Sequence, residues 1–254
     1  MAAACCWPAR TRHSTPARDG CSPFVQLLDA LSSIDGLDRI RFTSPHPGGY
    51  GDDVVAAYAR LPKLCASAHL PVQSGSNRIL ALMHRGYTRE RFLTLADKLR
   101  RARPEIGLTT DFIVGFPGET EVDFPDSLDF VREIGFTRLH VFSYSSRPGT
   151  AAAKMPGHLP KAVKKERAHR MIALGQELSL AFHRRYEAQT RPVLWENAIG
   201  ADNDGLHWAG YTDNYIRVLA HGPADLFNRI TLTQLVNAQP DGVSGRIVER
   251  RSNK

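Results

Sequence analysis

The stretch DFIVGFPGET, residues 111–120, decides the fold. It reads as the end of a buried strand, residues 106–114, running into a glycine-bearing loop and then a helix. The same order of apolar run, polar loop and helical period recurs on both sides of it.

Upstream, Ser22 and Pro23 supply an N-cap and a first-turn proline for a helix carrying Phe24, Leu27, Leu28, Leu31 and Ile34. RIRFT, 39–43, alternates as a strand does, and SPHPGG, 44–49, is a loop by composition. Asp52 or Asp53 starts a helix that uses Val54, Val55, Tyr58 and Leu61. CASAHLPV, 65–72, reads as a short strand with Pro71 at its end, where the missing N–H costs least. After the polar loop QSGS, 73–76, Ser76 caps a short helix. Thr88 caps a longer one with Phe92, Leu95, Leu99 and Ala102 in its stripe.

Downstream, Thr120 and Asp123 have capping-box spacing. A helix begun at Thr120 would set Pro125 against the carbonyl four residues back; a start at Asp123 avoids this, and the boundary stays open. Phe124, Leu128, Val131 and Ile134 form the stripe, and Gly135 stops the helix. FTRLHVFSY, 136–144, is a further strand and SSRPGT, 145–150, a further loop.

Four strands separated by helices require parallel pairing, because crossovers of this length do not make hairpins. In parallel α/β folds the chemistry gathers at the carboxyl ends of the strands. Here those ends are the loops 44–49, 73–76, 115–120 and 145–150. A long basic helix, 161–187, follows. Its stripe is Met171, Leu174, Leu178 and Phe182, and Lys161, Lys164, Lys165, Arg167, Arg170, Arg184 and Arg185 flank it. A solvated face accounts for most of that charge.

From residue 192 the texture changes to short alternating runs (VLWENAIG, LHWAGY, NYIRVLA, RITLTQLV, VSGRIVE), which predict an antiparallel barrel of about five strands. Trp195, Trp208, Tyr211, Tyr215 and Arg217 there suit stacking on single-stranded RNA, and core packing explains the tryptophans equally well. Residues 1–21 have no usable period and read as a disordered or non-native leader.

The formal net charge of +7 favours an anionic partner such as RNA only modestly. Four cysteines, Cys5, Cys6, Cys21 and Cys65, are too few and too irregular for a disulfide scaffold, which points to a reducing compartment. No CxxC or CxxxC spacing is present, and His46 and His69 have no matched set of metal ligands nearby. No apolar run has the length of a membrane span, and no h-region follows the N-terminal arginines, so a cytoplasmic protein without a membrane partner is expected. No GxGxxG, P-loop or GxSxG motif occurs, and no catalytic residue stands out. The glycines of GFPGE allow close approach of a ligand to backbone. Glu119 could accept from a ligand amine or ribose, or be a helix-start carboxylate. Gln73, Ser74 and Ser76 offer donors and acceptors in one loop.

Taken together, RFTSPHP (41–47), HLPVQSGSNRIL (69–80), TTDFIVGFPGETEVDF (109–124) and FSYSSRPGTAAAKMPG (142–157) resemble the radical S-adenosylmethionine methylthiotransferases that modify tRNA. The likeness runs from about Phe24 to Glu249, and the terminal runs resemble the TRAM RNA-binding domain. It implies a partial radical-SAM, TIM-like barrel over 22–158, the basic connecting helix over 159–188 and a TRAM-like β-barrel over 189–250. It also implies a chemistry in which a [4Fe-4S] cluster on a CxxxCxxC loop cleaves S-adenosylmethionine. The resulting radical removes hydrogen from C2 of the adenosine at tRNA position 37, a second cluster is implicated in sulfur supply, and another S-adenosylmethionine gives a methyl group. By motif, Gln73, Ser74, Ser76, Gly115, Gly118 and Glu119 would face S-adenosylmethionine. Arg147 would face nucleotide or cofactor, and Lys164, Arg184, Trp208, Tyr211, Tyr215 and Arg217 would face RNA with it, the tRNA anticodon stem-loop being the partner.

Two branches compete. GFTRLHVFSYSSRPGT, VKKER and GYTDNYIRV lean toward the enzymes acting on threonylcarbamoyladenosine, the favoured reading. HLPVQSGS and FTSPHP lean toward those acting on isopentenyladenosine. The CxxxCxxC motif, the N-terminal cluster domain and the first two barrel strands of the family have no counterpart here. The expectation is a C-terminal portion behind an unrelated leader, inactive by itself, with an open sheet edge beside 39–43. A non-catalytic tRNA-binding protein, or an unrelated α/β enzyme with another cofactor, are the rivals.

Overall fold

The computed structural model describes residues 3–5, 21–43, 46–202 and 205–250. β1 (Ala3–Cys5) lies parallel to β2 (Ile40–Phe42), with Ala3 opposite Ile40. These three residues of the leader therefore form an element where none was expected, on the edge expected to stand open. The rest of the leader through residue 20 lies outside the described residues.

α1 (Pro23–Ser32) begins at Ser22, whose Oγ accepts from the Val25 N–H at 3.4 Å. Alternation continues through α2 (Asp52–Arg60), β3 (Ser67–His69), α3 (Asn77–Leu82), α4 (Arg89–Ala102), β4 (Gly107–Val114), α5 (Asp123–Ile134) and β5 (Arg138–Ser143). β3, β4 and β5 make a parallel sheet with β4 in the centre. β2 joins this side of the molecule through Ile40, whose N–H donates to Lys63 O at 2.7 Å and whose O accepts from Cys65 N–H at 2.9 Å.

The strand expected over 65–72 is shorter, because Pro71 has no N–H to give. Leu70 N–H still reaches Thr109 O at 2.8 Å, but Val72 N–H turns to the Thr110 hydroxyl at 3.0 Å. α5 starts at Asp123, and Thr120 and Asp123 exchange hydrogen bonds, so the paired spacing and the later start both hold. Leu108, Phe112 and Val114 of β4 are buried, and Phe92 packs on Phe130 and Phe136 at centroid distances of 5.6 and 6.0 Å. Each such side chain contributes about 1.5–3 kcal/mol of burial.

α6 (Lys161–Arg184) spans two cores. Met171 and Leu174 pack in the first and Phe182 in the second, as the apolar stripe requires. β6 (Thr190–Asp202), β7 (Gly205–Tyr211), β8 (Arg217–Gly222), β9 (Ile230–Gln239) and β10 (Gly242–Arg250) close into a barrel in the order β10-β8-β7-β6-β9. Its pairs are antiparallel except β8 with β10, which run parallel. The architecture is thus a partial barrel of parallel strands with helices between them, followed by a small closed β-barrel. The two are tied by Arg39, which donates to Tyr211 O and Pro192 O at 2.7 Å each, and by Arg191, which pairs with Glu105 and Asp213. Among the described residues no helix is long and apolar enough to cross a membrane.

Candidate functional site

The strand ends after β3 and β4 are built as one knot. Gln73 bridges to Phe112 and sits at φ 72°, a left-handed conformation that a glutamine adopts only when its surroundings fix it. Its side-chain amide makes no hydrogen bond among the described residues. Ser74 is buried, and its Oγ accepts from Ser76 N–H at 3.2 Å. Gly75 lies flush on α5: its N–H donates to Ser127 Oγ at 3.1 Å, and a Cβ there would be 2.7 Å from Ser127 Cα and Phe130 Cβ. Ser76 Oγ donates to Asp123 Oδ1 at 2.7 Å and accepts from Ile79 N–H at 3.4 Å. Ser74 and Ser76, expected to face the cofactor, are therefore engaged in building the loop.

The GFPGET loop is tied to the same knot. Gly115 and Gly118 have φ of 72° and 82°. Arg78 donates to Gly118 O at 2.6 Å and pairs with Asp123. Gly118 N–H donates to Gly157 O at 2.9 Å. Glu119 turns inward, accepting from Gly115 N–H at 3.1 Å and from Arg167 at 2.5 Å. Burial pushes the Glu119 carboxyl up, against the pull of Arg167 and the Gly115 N–H. Burial works against charge at Asp123 too, but hydrogen bonds from Arg78, Thr120 and Ser76 outweigh it and hold the carboxyl well below the usual range.

Tyr144 follows β5. Its ring meets Phe116 edge-on at 5.4 Å, and its hydroxyl is buried without a partner among the described residues. Lys164 donates to Tyr144 O at 3.0 Å, and its stem crosses Gly115, where a Cβ would come within 2.4 Å of Lys164 Cγ. Lys164, expected to face RNA, is instead folded onto the loop after β4. The left-handed Gln73 with its open amide, the orphaned Tyr144 hydroxyl and the uncovered turn at Gly118 are the groups at these strand ends that the knot leaves unspent.

Within the parallel sheet, Asp111 lies between two imidazoles, 3.5 Å from His69 Nε2 and 3.8 Å from His140 Nδ1. His69 Nδ1 is 2.9 Å from Thr109 Oγ1. Burial, then Arg138, lowers the His140 pKa, with Asp111 opposing. Sequence reasoning saw His69 alone. The signal for the rest was the strand register, which places Asp111 opposite His140.

The cysteines do not fit an iron–sulfur cluster. CxxxCxxC is not in the sequence, Cys65 is 3% exposed, and burial pushes its thiol up while Arg41 and Arg39 pull against it. A thiol so buried and so spaced is no part of a ligand set for such a cluster.

Of the residues expected to face RNA, Trp208 is a core residue, 3% exposed, with Nε1–H donating to Pro223 O at 2.9 Å. Packing, the alternative reading, accounts for it. Tyr211 and Tyr215 stack on each other at 4.7 Å, and Arg41 of β2 lies 4.4 Å from the Tyr215 ring. Arg217 is 4.0 Å from Asp241. Arg147 and Arg184 are exposed. A cavity of about 300 Å³ between residues 47–52 and α4 shares none of these residues.

The family model described as the radical SAM superfamily matches residues 16–131. The tRNA-2-methylthio-N(6)-dimethylallyladenosine synthase of Moorella thermoacetica is 45% identical over 232 residues, 91% of this chain and 52% of that protein. The synthase of the same name from Opitutus terrae is 41% identical over 91% of this chain and 47% of its own length. That of Rhodococcus jostii is 54% identical over 62% of this chain and 31% of its own. The chain thus spans about half the length, or less, of these curated relatives. All carry the dimethylallyladenosine name, so the ranking of threonylcarbamoyladenosine first is not supported, and the second-ranked branch is favoured. Among solved structures, Escherichia coli coproporphyrinogen III oxidase, a radical SAM enzyme, overlaps 75% of this chain and 50% of its own at a TM-score of 0.48 and 19% identity.

Proposed function

We propose that this chain, a homologue of the radical S-adenosylmethionine tRNA methylthiotransferases, supplies the S-adenosylmethionine-facing and tRNA-facing parts of an enzyme that converts N6-isopentenyladenosine at tRNA position 37 to its 2-methylthio form. The observation that carries this reading is the 45% identity, across 91% of the chain, to a protein named for that product.

S-adenosylmethionine, when bound, would supply a methyl group; the family's radical chemistry also needs an electron from an iron–sulfur cluster, which the cysteines of this chain do not fit. The chain's own residues hold and orient the S-adenosylmethionine. The Gln73 amide offers a donor and an acceptor, the Tyr144 hydroxyl a further polar contact, and the turn at Gly118, where a Cβ would meet nothing nearer than Leu82 Cδ1 at 3.8 Å, lets the ligand approach backbone. Ser74, Ser76 and Glu119 act behind this surface by fixing the loops. Arg147, Arg184, Arg217 and the Tyr211–Tyr215 pair are the groups offered to the anticodon stem-loop. The cysteine set favours a second reading for the chain by itself, RNA binding without turnover.

The test is mass analysis of tRNA from cells lacking the gene. Loss of 2-methylthio-N6-isopentenyladenosine, with the unthiolated nucleoside accumulating, is the expected result. Loss of 2-methylthio-N6-threonylcarbamoyladenosine with the isopentenyl series intact would overturn the assignment.

A further inference from the structure

We propose that Asp202, His207 and His221 form a binding site for a divalent transition-metal ion, zinc by donor chemistry, on the wall of the five-stranded barrel. No spacing in the sequence announces it, because the three groups come from three strands. β7 and β8 pair in register with His207 opposite His221, so both imidazoles leave the same face. Their rings lie 4.0 Å apart between centroids. β6 brings Asp202 alongside: its Oδ2 is 2.7 Å from His207 Nε2 and its Oδ1 is 3.8 Å from His221 Nδ1.

One ligand atom from each residue can be chosen so that all lie within 4.8 Å of one another. Donors about 2.0–2.2 Å from one zinc ion stand a little over 3 Å apart in tetrahedral geometry, between the two separations observed. Small side-chain rotations would bring all three to one ion. Gly200 is the register partner of His207, so that position adds no side chain beside the ring. The side chains are 38–52% exposed, which leaves an ion free access and leaves further coordination positions to water. Two imidazoles and one carboxylate suit zinc and its first-row neighbours, whereas calcium and magnesium require sets of oxygens. An ion there would pin the β6–β7 hairpin to β8, tightening the barrel.

The tag-free chain, stripped with chelator, is titrated with zinc chloride by calorimetry and with cobalt(II) by absorption. One equivalent is expected to bind, with a rise in melting temperature. H207A/H221A and, separately, D202N are expected to weaken binding by at least about tenfold, the least that loss of even a supporting group costs a metal site. H69A/H140A, at the other histidine pair, is expected to keep it. Circular dichroism checks that each variant folds. Equal zinc affinity in wild type and H207A/H221A, or wild-type binding weaker than about 1 mM (roughly 4 kcal/mol), would overturn the site as an adventitious surface ion pair.

Discussion

Arg167 of α6 donates from Nη1 to Glu119 Oε1 at 2.5 Å, with both side chains only 2% exposed. This pair fastens the helix leading to the second barrel onto the loop after β4. Removing one partner strands a buried charge, whereas neutralising both leaves none. Arg167→Met is therefore expected to cost about 3–5 kcal/mol in urea unfolding, and adding Glu119→Gln should recover much of the loss. An additive double variant would show that the two groups act separately.

Asp123 sets an acid limit on stability. Its carboxyl is held below the usual range in the fold, so between that depressed value and about pH 4 the unfolded chain binds the proton more readily. The stabilisation is complete above about pH 4 and is lost as pH falls through the folded value. Urea unfolding from pH 6 to pH 2.5 is expected to show this fall in wild type and a shallower one in Asp123→Asn. Parallel curves would place the acid sensitivity elsewhere.

Gly75 has no room for a side chain. Because a Cβ would stand 2.7 Å from the α5 backbone at Ser127, Gly75→Ala is expected to lose about 1–3 kcal/mol and to displace the loop carrying Gln73. Amide exchange at residues 73–76 should rise with the loss. Unchanged stability and exchange would mean α5 yields freely.

Trp208 and the exposed arginines should separate stability from RNA binding. Trp208→Ala is expected to cost about 3–5 kcal/mol as a core truncation. Arg147→Ala and Arg184→Ala should leave the melt unchanged. If each meets a phosphate, each lowers the salt slope of stem-loop binding by about 1. Slopes equal to wild type in both variants would move the RNA surface away from them.

The helix starts at Ser22, Ser76 and Thr88, the central strand and the closed second barrel were legible in the sequence, because caps, period and turn residues are local signals. The knot was not. Arg167 looks like its charged neighbours along the helix, and its partner lies 48 residues away. Ser76 was legible as a cap but not as the donor to Asp123, which depends on how α3 meets α5. Tyr211 and Tyr215 read as free aromatics because Arg41, which lies over Tyr215, comes from the other barrel. The parallel pairing of β8 with β10 follows from closure, which no single run encodes.

The most direct test is binding of the purified chain to anticodon stem-loops carrying isopentenyladenosine, threonylcarbamoyladenosine or plain adenosine at position 37, by fluorescence anisotropy at two salt concentrations. Salt-dependent binding that is tightest for the isopentenyl loop is the expected result. Equal affinity for all three, or preference for the threonylcarbamoyl loop, would contradict the proposed function.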